Sequence, residues 1–293
     1  MNPISPRSLC GHLAVFVAAV TSIPNAYGVT IVHGGDSVDI DFVDIGHVGN
    51  VADANGKGAV SYEYSIGTYE ITSSQWATVT TADAGIETGA VSDPYTGAQP
   101  TAEVSWYEAA KFANWLTSGD ALQGAYQFSD ATTFTGVDRV AALNTYDTIY
   151  MLPTEDEWYK AAYFKSDGSG YTYYPTGDDS PIAGVDANFL SANSSPWDVG
   201  SGSVENNGTF DMGGNVFEWT ESSSSGSRLI RGGQWWGSAN NMTSAASLAF
   251  NPAGEEDWIG FRLVSISTVP EPSSLSLLFV GALGCVLRRK RNQ

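Results

Sequence analysis

A chain of 293 residues that is 42% hydrophobic and 12% aromatic carries enough apolar side chain to bury a full core, which excludes a disordered chain and suits one large domain with a processing segment at each end. Between Val29 and Val269 it has 8 Lys and Arg against 31 Asp and Glu, a net charge of −23. Such a field repels phosphates and anionic lipid and attracts cations, so no nucleic-acid partner is expected.

The chain opens with a basic Arg7, an apolar run from Leu13 to Val20, and small residues Ala26 and Gly28. This layout predicts a secretory signal peptide over 1–28, which makes the chain an exported protein. From Val29 to Gly46 apolar Val38, Ile40, Phe42 and Ile45 alternate with Asp39, Asp41 and Asp44, the period of a half-buried strand pair. His33 and His47 flank the pair and read as surface or turn residues. Asn50 to Lys57 is a turn-rich acidic loop.

A second strand, Tyr62 to Ile71, leads into a helix that Thr72 and Gln75 start with a capping-box spacing. The polar loop Thr80 to Pro100 is long enough to be functional or merely variable. Ser105 and Glu108 repeat the capping device before an apolar helical face of Trp106, Ala109, Ala110, Phe112, Ala113 and Leu116. Thr154 and Glu157 do so again ahead of Trp158, Ala161 and Ala162. Glu155, Asp156 and Glu157 are therefore assigned to capping and to the helix dipole rather than to catalysis. From Gly168 to Phe210 the chain is rich in Gly, Ser, Asn and Asp and shows few regular signals.

The end reads VPEP (Val269 to Pro272), an apolar stretch from Leu275 to Leu287, then Arg288, Arg289, Lys290 and Arg291. It resembles the PEP-CTERM sorting tail, which implies recognition by an exosortase. The stretch is shorter than the roughly 20 residues of a comfortable span. The expected organisation is thus a leader (1–28), a domain (29–268) and a sorting tail (269–293), with membrane contact only through the tail, transient anchoring by its helix, and a destination at the cell surface or in the extracellular matrix.

Six phrases recur in a known order: YEITSSQW (Tyr69 to Trp76), VSWYEAAKFANWL (Val104 to Leu116), LPTEDEW (Leu152 to Trp158), DMGGNVFEW (Asp211 to Trp219), RGGQWW (Arg231 to Trp236) and GFRL (Gly260 to Leu263). Together they resemble the formylglycine-generating (sulfatase-modifying factor) family, whose domain is a variant of the C-type-lectin fold. The resemblance implies an α+β fold with small distorted antiparallel sheets, two or three helices and long loops.

It also implies sites. The family places a Ca²⁺ ion at the DMGGNVFEW phrase, which carries over as Asp211 and Glu218 through side chains and Gly214 and Val216 through carbonyls, a mixture of oxygens that suits a hard cation. A second family calcium site carries over as Asn188 and Phe189, with Asp198 as its acid. The family oxidase captures copper(I) on a pair of cysteines after the RGG phrase; Gly237 and Met242 stand there, and the only cysteines are Cys10 and Cys285 near the ends. No copper is therefore expected, because a thioether cannot supply the thiolate. Three histidines, one of them in the leader, also cannot build the three-histidine iron centre of sulfoxide-synthase relatives.

The resemblance implies that the segment Trp235 to Trp258 lies on the exposed face that proteins of this fold, lectins among them, use for ligand binding. Trp236, Asn240, Asn241, Phe250 and Asn251 are the candidate ligand-binding residues, flat aromatic surface beside adaptable amides; Trp235 is assigned to a core strand. Arg231 and Arg262 are expected to pair with carboxylates. The leading functional expectation is a calcium-stabilised surface module that binds a glycan or a protein and lacks the cysteine pair of the family's oxidases. The alternatives are an oxidoreductase with Glu255, Glu256 or Asp257 as base, and a structural matrix protein.

Overall fold

Alternation along Val38 to Ile45 builds the first strand pair. In the computed structural model, which describes residues 26–268 apart from 88, 90, 91 and 178, β1 (Ala26–His33) and β2 (Asp36–Ile45) run antiparallel with Val29 opposite Ile40 and Ile31 opposite Val38. Val38, Ile40, Phe42 and Ile45 are buried and the intervening aspartates face solvent. β1 starts at Ala26, within the span assigned to the leader; most of that leader and the whole sorting tail lie outside the described residues.

The pair extends into a five-stranded antiparallel sheet in the order β1-β2-β3-β11-β6, with β3 at Tyr64–Gly67, β6 at Thr148–Met151 and β11 at Val264–Ser267. β3 is shorter than the strand expected over Tyr62 to Ile71. Beyond Gly67 the chain leaves the ladder, and the Ile71 amide turns to the Phe261 carbonyl at 2.9 Å while its own carbonyl accepts from Thr101.

Three helices begin as their capping boxes require. α1 (Ser73–Ala82), α2 (Trp106–Ser118) and α4 (Glu155–Tyr163) each carry both reciprocal bonds, from Thr72 and Gln75, Ser105 and Glu108, and Thr154 and Glu157. Each box satisfies amide donors that the first helical turn leaves without partners. α2 ends at Gly119, whose φ of 84° is a conformation that costs glycine little. A five-residue α3 (Arg139–Leu143), which sequence spacing does not announce, adds a fourth helix to the two or three expected. Phe112 of α2 stacks on Trp76 of α1 with centroids 5.6 Å apart, and both meet the edge of Phe261. This aromatic wedge fills the space between the helices and the sheet.

A second sheet has the order β10-β7-β8-β9, formed by β7 (Phe217–Ser224), β8 (Ser227–Arg231), β9 (Leu248–Phe250) and a short parallel β10 (Ile259–Gly260). A small hairpin of β4 (Tyr126–Phe128) and β5 (Phe134–Val137) covers Trp106. Between Lys165 and Val216 the described residues form no helix or named strand. Side chains hold that segment instead: the Asn207 amide donates to the carbonyls of Ala161 and Phe164 at 2.9 and 2.6 Å, closing the end of α4.

Candidate functional site

The DMGGNVFEW phrase lies in the interior and forms a polar network there. Asp211 takes a left-handed φ of 59°, and its carboxylate accepts from the Trp197 indole at 2.8 Å and the Gly200 amide at 2.6 Å. Asn215, fully buried, donates to Glu70 at 2.7 Å and accepts from the Trp197 amide at 2.9 Å. Glu218 receives the Trp158 indole and two guanidinium bonds from Arg262, each at 2.7 Å. Gly214, with a φ of 85°, lies so close to the Asn188 carbonyl that no side chain fits.

Four buried carboxyls, Glu70, Glu205, Asp211 and Glu218, thus share the neighbourhood of one guanidinium. Burial, then the charges of Asp211 and Glu218, push the Glu70 carboxyl well above the usual carboxylate range. Burial lifts Glu205 to about 8, against the pull of Arg262. Burial also raises Asp211, opposed by its bonds to Gly200 and Trp197. Glu70, Glu205 and Asp211 gain most by holding protons or sharing Arg262.

The arrangement does not fit the expected calcium ion. Both oxygens of Glu218 accept from Arg262, one of them also from Trp158, and both oxygens of Asp211 accept from the loop that they fasten. A Ca²⁺ ion would have to displace these donors and sit beside a guanidinium. For the second site, Asn188 is fully buried and Phe189 packs with Tyr174, Ala187 and Met242, whereas Asp198 is at the surface. The Asn188 side chain spends its amide on Ser195 and Asn215. Among the described residues no group of three acidic, histidine or cysteine side chains is placed to hold a metal.

In the segment after the RGG phrase, a Cβ on Gly237 would lie 2.8 Å from the side-chain amide oxygen of Gln234 and 3.1 Å from that of Asn241, two side chains that would have to shift to admit it. Met242 is 1% exposed and belongs to the small core with Phe189. Trp235 is half-buried in a turn rather than in a core strand, because its amide reaches back to the Asn215 carbonyl at 2.8 Å.

Of the five candidate ligand-binding residues, Trp236, Asn240 and Asn251 are exposed. Trp236 remains 48% accessible, its ring edge-on to Trp258 at 6.4 Å. Trp258 is itself wedged between Phe217 and Phe250, at 5.7 and 5.3 Å. Half-buried Phe250 thereby supports the Trp258 ring. Asn241 caps the 3-10 turn Ala239–Met242 by accepting from the Ser238 amide at 3.1 Å, and Asn251 accepts from Ala253.

Acids gather around Tyr95 and Asp257, the residue that precedes Trp258. Tyr95 donates to the Asp257 carbonyl at 2.7 Å beside the Trp235 indole, and burial followed by the Asp257 charge pushes its hydroxyl up to about 12. Partial burial and then Asp257, Asp93, Glu255 and Glu256 raise the Glu103 carboxyl. The face therefore presents a braced indole within a field of negative charge.

The acids of LPTEDEW have partners beyond capping. Glu157, fully buried, holds Arg139 through bonds of 2.7 and 3.1 Å and accepts from Tyr62. Burial alone would raise its carboxyl, but Arg139 brings it below the usual range. Glu155 bridges Arg231 and Lys57, so both arginines of the RGG and GFRL phrases pair with carboxylates.

The structure is similar to Treponema denticola variable protein 1, with a TM-score of 0.59 and 23% identity over 82% of this chain and 99% of that one. It is similar to CarF, with a TM-score of 0.55 and 23% identity over 77% of this chain and 97% of that one. PvdO from Pseudomonas aeruginosa gives 0.54 and 18% over 77% and 94% of the two chains. The fold is thus the α+β, C-type-lectin-like one. In sequence, the chain is 25% identical over 234 residues to the chaperone protein LppX of Paenibacillus barcinonensis, covering 69% of this chain and 80% of that one. Residues 268–291 match the PEP-CTERM protein-sorting motif, which marks the chain for surface or extracellular sorting by exosortase-type machinery. No helix among the described residues is long and apolar enough to cross a membrane. Residues 26–266 match the Sulfatase-modifying factor enzyme 1-like domain, and the chain belongs to that family.

Proposed function

We propose that the exported domain is a recognition module and that its ligand binds at the Trp236 platform. The observation that carries this reading is the 48% exposure of an indole braced edge-on by Trp258. A large ring held still in water offers contact area at little cost in conformational entropy. The acidic surround favours a cationic ligand, and similarity to a protein named a chaperone favours a polypeptide over a glycan. Gly237 and Met242, at the two positions of the family's cysteine pair, supply no thiolate for oxidation at this face. Peptide and glycan arrays probed with the exported chain test the reading. Binding to Lys- and Arg-rich peptides is the expected result, and blank arrays of both kinds contradict it.

A further inference from the structure

A cleft of about 710 Å³ opens where the start of α4 meets the β7–β8 hairpin. Its floor is an ion-pair chain. Arg231, 2% exposed, donates to one Glu155 oxygen at 3.1 and 2.6 Å, and Lys57, with its side chain 40% exposed, meets the other. The Arg231 guanidinium is fixed further by the carbonyls of Ser244 and Ala246 at 3.2 and 2.8 Å. Asp156 adds a second acid, so the lining holds two cations and two anions. In a domain of net charge −23 this is a locally neutral concavity.

Serines line the walls: Ser222, Ser223 and Ser224 close β7, and Ser247 faces them from the loop before β9. Ser222 is occupied by the Glu155 amide at 2.9 Å, and one Asp156 oxygen by the Gly58 amide at 2.8 Å. The hydroxyls of Ser223, Ser224 and Ser247, the Asn55 carbonyl oxygen and the second Asp156 oxygen have no hydrogen-bond partner among the described residues. These groups, with the partly exposed Lys57 ammonium, both donate and accept.

We propose that this cleft binds a neutral saccharide unit. Sugar hydroxyls require donors and acceptors side by side, which this lining supplies. Its balanced charge gives no preference to a phosphate or a simple cation: Arg231 is committed to Glu155, and both carboxylates repel anions. The volume lies within the roughly 300–1,000 Å³ of pockets that hold small molecules. Leu229 adds an apolar contact. None of the lining residues belongs to the Trp236 platform, so the site is independent of the ligand proposed there.

The test is saturation-transfer NMR on the full exported chain with glucose, galactose, mannose, N-acetylglucosamine, lactose and cellobiose at millimolar concentration. Ser223, Ser224 and Ser247 are exposed, so Ser247→Trp and the Ser223→Ala, Ser224→Ala double variant keep the fold while filling or stripping the cleft. The expected result is binding of at least one sugar, weakened about tenfold or more by each variant, as the loss of one or two hydrogen bonds implies, and unchanged by Trp236→Ala. No signal from any of the six sugars, a signal indifferent to both cleft variants, or a signal lost in Trp236→Ala would overturn the proposal. The last result would place the sugar at the platform instead.

Discussion

Arg262 holds Glu218 through two guanidinium bonds of 2.7 Å, Nε to one carboxylate oxygen and Nη2 to the other, with both side chains fully buried. The same guanidinium donates to the carbonyls of Gly67, Thr68 and Phe210 at 3.0, 3.3 and 2.8 Å, tying the end of the central strand β3 to the start of the DMGGNVFEW phrase. Removing one partner leaves the other charge or its donors uncompensated in the interior. Arg262→Met is expected to cost about 3–5 kcal/mol, read from urea denaturation. A loss below 1 kcal/mol would mean that the pair is not buried as described.

Calcium removal is expected to leave the fold unaffected, because the carboxylates named for the ion already serve Arg262, Trp158, Trp197 and Gly200. An ion bound at 100 times its dissociation constant stabilises by about 2.7 kcal/mol. For a domain of this size that is a shift of about 5–10 °C in melting temperature. Melting in chelator and in millimolar calcium should therefore coincide, and a shift of that size would restore the calcium site.

How much of this was readable in advance follows from range. The three capping boxes are local, with partners three residues apart, and Thr72, Ser105 and Thr154 each start the helix expected of them. The β2 alternation is equally local. The long-range bonds of Asn215 and Asn207 are not, since Asn215 to Glu70 joins positions 145 apart and Asn207 reaches back to Ala161 and Phe164. No spacing in the sequence announces them, and asparagines in a Gly-rich stretch look the same whether they are solvated or fastening the core. Glu157 shows the same limit: its cap was legible, but Arg139, reached across a turn that gave no helical signal, was not.

Stability should fall as pH rises from about 5 to 8. Glu205, buried and raised to about 8, binds its proton more tightly when folded than its ordinary value of 4.5 allows when unfolded. Between those two values the native state holds more protons, so its advantage is complete below the lower one and is lost as pH passes through the upper. Glu70 is shifted in the same direction. A pH series of melting temperatures checks this, and Glu205→Gln should flatten it. A Glu205→Gln profile as steep as that of the unmodified chain would contradict the assignment.

The most direct measurement is the affinity of Trp236→Ala for whichever Lys- or Arg-rich peptide the unmodified chain binds best, by titration calorimetry with melting measured in parallel. Exposed side chains contribute little to stability, so the melting temperature should stay within about 2 °C. A ring at the centre of a binding site costs about 2 kcal/mol or more when truncated. The account predicts a loss of at least about tenfold in affinity with the fold intact; equal affinity for the two proteins would contradict it.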